Sequence, residues 1–168
     1  IVSEIRVDAI KTRAGAVPTA NDVGINVTGT VLQVVTASHD TRVDNNSTSF
    51  IDSGLSCSIT PSATSSKVFV VVSQNLGQDR DTGEAQGTCK LLRDSTNIYE
   101  MNTMSFIQGN GTASKNIVSN SITVLDSPST TSSVTYKTQI ATTYTANNGV
   151  SRANWGGPSI MTLMEIAG

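Results

Sequence analysis

Apolar and polar residues alternate along much of this chain with a period of two, the spacing of a strand that buries one face and wets the other. The pattern is clearest over Gly54–Ser73. Leu55, Cys57 and Ile59 alternate with Ser56 and Ser58. After a polar break, Val68–Val72 is continuously apolar, as expected of a strand covered on both faces by a second sheet or another subunit. Between these arms lies Pro61-Ser62-Ala63-Thr64-Ser65-Ser66, where proline offers no ladder donor and hydroxyls compete for backbone groups. The stretch reads as a hairpin. A second such turn, Pro128-Ser129-Thr130-Thr131-Ser132-Ser133, follows Val118, Ile122 and Val124 on one parity and precedes Val134, Tyr136, Ile140 and Tyr144 on one parity. The repeat predicts two equivalent hairpins in a double-sheet fold.

The same reasoning places a strand over Val27–Thr36, with Gly29 at a bulge or close approach, and another over Thr88–Arg93. Asp94-Ser95-Thr96-Asn97 turns the chain into Ile98–Met101. Gln74–Gln86 is polar and reads as a connection. The last strand, Ser159–Ile166, has Met161 and Leu163 on one face and Ile160, Met164 and Ile166 on the other, so both faces call for cover. Eight to ten strands and no helix predict an all-β, antiparallel two-sheet sandwich, jelly-roll-like in architecture. Residues 1–26 show no sustained period beyond a short strand over Glu4–Ile10, so they read as an extended arm or connector ahead of a sandwich domain over 27–168. An arm without its own core, and strands apolar on both faces, ask for further copies of the chain.

Composition supports this picture. Ser and Thr number 22 and 23 of 168 residues, which favours strands and turns over long helices. A net charge of −2, without clustered Lys or Arg, gives no electrostatic footprint for nucleic acid or anionic lipid, and no apolar run is long enough for membrane insertion. Cys57 and Cys89 sit in register with apolar neighbours and read as small buried side chains, with a disulfide between adjacent strands as the other reading.

Candidate chemistry is sparse. With a single histidine, His39, the chain is poorly equipped for a catalytic triad or a multi-histidine metal site, and it is read as no enzyme, with no metal and no cofactor. Asp79 and Asp81, with Glu84 around Gly83, offer oxygens of the type Ca²⁺ prefers, but they lack the EF-hand spacing and read first as a solubilising turn. Tyr99, Tyr144 and Trp155 are candidate binding residues, aromatic groups able to stack on a sugar ring or anchor a protein contact, with Asp79 and Asp81 as their polar companions.

Several stretches together resemble one family. These are VDAI over Val7–Ile10, GTVLQVV over Gly29–Val35, Ile59–Lys67, LLRDST over Leu91–Thr96, LDSP over Leu125–Pro128 and TLMEI over Thr162–Ile166. They are similar to the β-rich C-terminal modules of bacteriophage tail-fibre and related virion proteins, particularly of marine and cyanobacterial phages. The resemblance implies a homotrimeric, non-enzymatic virion part assembled in the host cytoplasm beside other virion proteins. It implies contact with the host surface, polysaccharide or protein, or alternatively a capsid decoration or tail connector without receptor binding. Assembly in a reducing compartment would leave Cys57 and Cys89 free.

Overall fold

The described residues form ten strands, most of them with period-two burial. The computed structural model describes residues 28–107, 113–143 and 149–168; the expected arm over 1–26 and Tyr144 lie outside them. The strands are β1 (Val31–His39), β2 (Val43–Asn45), β3 (Ile51–Ile59), β4 (Lys67–Arg80), β5 (Ala85–Arg93), β6 (Thr96–Ile107), β7 (Ser114–Asp126), β8 (Val134–Thr142), β9 (Val150–Ala153) and β10 (Ser159–Ile166). No helix occurs among the described residues.

The larger sheet is built around β4. Along one side β4 pairs first with β10 and then with β9, and along the other it pairs with β7 over Val68–Arg80. β1 pairs with β10 and β2 with β9, so the six strands form four lines across: β1/β2, β10/β9, β4 and β7. The facing sheet runs β3-β8-β5-β6. Successive strands therefore keep changing sheets, and the interleaved order 1-10-4-7 over 3-8-5-6 is a jelly roll, an antiparallel two-sheet sandwich.

That interleaving corrects the hairpin expectation. β3 pairs with β8, whereas β4 pairs with β7, β9 and β10, so the Pro61–Ser66 segment carries the chain from one sheet to the other. Pro128–Ser133 makes the reverse crossing, from β7 to β8. Hairpin loops are usually two to five residues. These connections are longer, and they bridge sheets packed about 10 Å apart. The repeat is real, but its unit is an arch: the two arches lie side by side, with β3 beside β8 and β4 beside β7. The short β5–β6 connection through Asp94 and Ser95 is a hairpin as expected, with Asp94 at φ 52°.

Inward residues of β4 (Val68, Val70, Val72 and Leu76) close on Leu55, Cys57 and Ile59 of β3, Tyr136 and Ile140 of β8, and Met161 and Leu163 of β10. Each fully buried Val, Leu or Ile contributes roughly 1.5–3 kcal/mol. Phe69 and Val71 point the other way and are only half-buried, so within one chain the Val68–Val72 run is covered on one face. Cys57 and Cys89 are both buried and free. β8 runs between their strands, which excludes the adjacent-strand pairing. Burial raises the pKa of Cys57 and pushes that of Cys89 up to about 12.

β4 also runs on to Arg80 instead of ending at Ser73, so the polar stretch read as a connection is mostly strand. Gln74 and Gln78 face the interior, where Ser and Thr hydroxyls of β8, β9 and β10 bond them and Gln78 Oε1 alone of their amide atoms is left without a partner. Gln74 donates to Ser159 Oγ at 2.8 Å and accepts from Thr138 Oγ1 at 2.8 Å, and Gln78 donates to Ser151 Oγ at 2.6 Å. Polar residues with partners can occupy an interior line of a sheet.

Candidate functional site: the outer face of the larger sheet

Sheet register divides the outer face of the larger sheet into two halves of different chemistry. At the β9 end, Val150 and Lys115 flank Asp79 across β4, and Arg152 and Ile117 flank Gly77. Arg152 reaches Asp79 Oδ2 with Nη2 at 3.0 Å and pairs through Nη1 with Asp44 of β2, which also accepts Arg42 Nε at 3.0 Å. Lys115 Nζ stands 3.6 Å from Asp79 Oδ2. Acidic and basic side chains from four strands thus neutralise one another.

Trp155 belongs to this half. Residues 154–158 bulge out between β9 and β10, and Asn154 at φ 58° anchors the bulge. Its side-chain amide donates to Ser53 O at 2.7 Å and Thr41 O at 2.9 Å, and its backbone N–H donates to Asn75 O at 2.9 Å. The indole edge occupies the space a side chain at residue 77 would need: a Cβ on Gly77 would overlap Trp155 Cε3. Arg152 lies 5.4 Å and Lys115 5.8 Å from the ring centroid, within cation–π range. Trp155 is a half-buried wedge with an edge and two cations engaged.

The structure therefore brings together two of the expected site residues, Asp79 and Trp155, through Arg152. Tyr99 is elsewhere, 39% exposed on β6 at the edge of the other sheet. Asp81 is exposed in the 81–84 turn beyond β4. Asp44, Lys115 and Arg152 join the cluster although sequence reasoning passed over them. They come together only through strand register, and no local motif marks them. Beside the cluster, an open cavity of about 280 Å³ is lined by Asp44, Asn46, Val150 and Arg152. It falls just below the size of typical small-molecule sites. Among the described residues no group of three or more His, Cys, Asp or Glu is placed to hold a metal ion.

The β10 end is apolar. Val34, Met164, Phe69 and Leu125 are direct cross-strand neighbours and form one transverse row over all four lines. Val34 is 56% and Leu125 54% exposed. Sheet faces turned to water ordinarily alternate apolar-in and polar-out; this row breaks that rule.

The stretches that carry the family resemblance, apart from Val7–Ile10, which lies outside the described residues, meet at the sheet corners. Ser62 donates through its backbone N–H and its hydroxyl to Glu165 Oε1, both at 2.7 Å, and Gln33 donates to Glu165 Oε2 at 2.6 Å. Burial opposes the charge on Glu165, but these hydrogen bonds outweigh it and hold the pKa below the usual glutamate value. At another corner Asp126 accepts Arg93 Nη1 at 2.7 Å and the Tyr136 hydroxyl at 2.7 Å, and burial together with that bond pushes the Tyr136 phenol up. These residues tie sheet to sheet; none is arranged as a reaction centre.

No family model matches the sequence, and no curated protein matches it. Solved structures of infectious bursal disease virus do align with it. The T13 viral particle matches at a TM-score of 0.42 and 11% identity, over 97% of this chain and 40% of that one. The Gx strain matches at 0.41 and 11%, over 82% and 39%. The VP2 subviral particle matches at 0.39 and 15%, over 81% and 37%. The chain spans about two fifths of the length of the structures it matches.

Proposed function

We propose that this chain is a structural module of a virus particle, the β-rich part of a phage tail fibre that assembles as a homotrimer and contacts the host surface without catalysing a reaction. The observation that carries the reading is the jelly roll of strands 1-10-4-7 over 3-8-5-6, an architecture shared by viral shells and lectin-type modules, with an apolar row left open on its outer face. The phage-like stretches among the described residues are its structural corners, which fits a resemblance of module more than of chemistry. Host contact would fall to exposed positions such as Tyr99 and Asp81, together with Tyr144.

A second reading, a capsid decoration or tail connector without receptor binding, is favoured by the engagement of Trp155 and Asp79 within the chain. Adsorption of the purified protein to susceptible bacteria, or to their extracted surface polysaccharide, separates the two. The tail-fibre reading expects saturable adsorption that falls with Tyr99→Ala. No adsorption, with tight binding to particles lacking the protein, replaces it with the second.

A further inference from the structure

We infer that Arg80, at the end of β4, is a binding site for a carboxylate group supplied from outside the described residues. The inference goes beyond the virion reading and stands or falls apart from it.

β4 sends every second side chain between the sheets, and the line that runs through Val72, Gln74, Leu76 and Gln78 ends on Arg80, 2% exposed. A guanidinium does not give up its proton in proteins, so a buried one needs an anion beside it. None of the ion pairs among the described residues includes Arg80. Asp79 points to the opposite face, where Arg152 and Lys115 hold it, and Asp81 is exposed in the turn. Strand pairing sets Ser114 and Val150 beside this end of β4. The connections that lead towards those strands, 108–112 and 144–148, contain no Asp or Glu.

The unmet part of the guanidinium has a definite shape. Arg80 Nη1 donates to Gly83 O, while Nε is buried without a partner. The edge left open is therefore the Nε–Nη2 side, two parallel N–H donors that match the two oxygens of a carboxylate. Gln78, 0% exposed and next on the same inward line, is fixed by its bond to Ser151, and a Cβ on Gly87 would overlap its amide nitrogen. Its Oε1 also has no partner. The two unmet atoms are thus a donor and an acceptor. A carboxylate carried in with one water answers both, its oxygens accepting from Arg80 and the water donating to Gln78. Two sources offer that group: Glu4, Asp8 and Asp22 of residues 1–27, or a free small acid.

The test uses the full chain and follows the Arg80 Nε–H by nuclear magnetic resonance, assigned by its loss in Arg80→Met, while formate and, in parallel, chloride are titrated in. Saturable movement with formate in the wild type assigns a free carboxylate to the site. A wild-type signal that ignores formate, but moves when Glu4→Gln, Asp8→Asn and Asp22→Asn are made together and then responds to formate, assigns the chain's own segment. No response to formate in either chain, or a response to chloride as large, overturns the inference. Melting is compared in the triple variant, where added formate alone supplies the group. There Arg80→Met removes an unpaired buried charge and is expected to melt at or above its parent without formate, and to gain nothing from formate that stabilises the parent. Arg80→Lys keeps the charge without the fork and is expected to take formate on the order of tenfold more weakly. If Arg80→Met instead lowers melting in formate-free buffer, Arg80 is a structural residue and the assignment fails.

Discussion

Glu165 shows how much one side chain does here. It shares the inward parity of Met161 and Leu163, and it is 1% exposed, so an unsatisfied charge there would be costly. Both carboxylate oxygens are occupied by donors from Gln33 and Ser62. An amide has one oxygen only, so Glu165→Gln must set a donor against a donor, and a loss of about 1.5–3 kcal/mol is expected in urea unfolding at neutral pH. Because the folded pKa is depressed, this contribution is fully present above the unfolded-state value near 4.5 and is lost as pH falls through the lower folded value. Acid titration of stability should steepen below pH 4.5 in the wild type and flatten in the variant. Gly77 is the opposite case, where the missing side chain matters. Gly77→Ala must displace the indole of Trp155, the sole tryptophan, at about 1–3 kcal/mol, and a red shift of tryptophan emission should report it.

Strand existence was legible in the sequence because alternation is a local signal; strand partnership was not. Ser159–Ile166 is the last strand with the expected bounds and facing, and the β5–β6 turn is where Asp94 and Ser95 place it. The Gly54–Ser73 pattern named both arms correctly, but β3 and β4 belong to different sheets, because a polar proline turn marks a reversal without saying how far the chain travels. β4 was cut short for another reason. Its inward Gln74 and Gln78 look like loop residues until Ser159, Thr138 and Ser151 are brought beside them by strands far along the chain. The site suffered most: Asp79 and Trp155 were visible as residue types, whereas Arg152, which joins them, depends wholly on register. An engineered disulfide tests the arch directly. Ser58 and Thr135 are cross-strand partners with hydroxyls 2.8 Å apart, so Ser58→Cys with Thr135→Cys should oxidise readily. Ser58→Cys with Lys67→Cys, neighbours in a hairpin, should not; the reverse outcome on reducing and non-reducing mass spectrometry would sink the crossing.

Across the whole molecule, the order 1-10-4-7 over 3-8-5-6 makes nearly every pairing non-local: Val31 meets Ile166 and Ile51 meets Ile140. Loop closure must be met before such contacts contribute, so folding on the millisecond-to-second scale typical of β-sandwiches is expected. The two cysteines report how the finished structure opens. Cys89 is 0% exposed in β5, which has strands on both sides, and its thiol, pushed up to about 12 by burial, supplies almost no reactive thiolate while folded. Cys57 is inward-facing too, but β3 is an edge strand, interrupted by a register shift between Asp52 and Ser56. Edge strands open at lower free energy than central ones. In denaturant-free thiol labelling followed by mass spectrometry, Cys57 should therefore react first and depend weakly on added urea. Cys89 should react later, with the urea dependence of global unfolding; equal rates and equal dependences would mean that the two sheets separate as a single cooperative unit, with no fraying of β3.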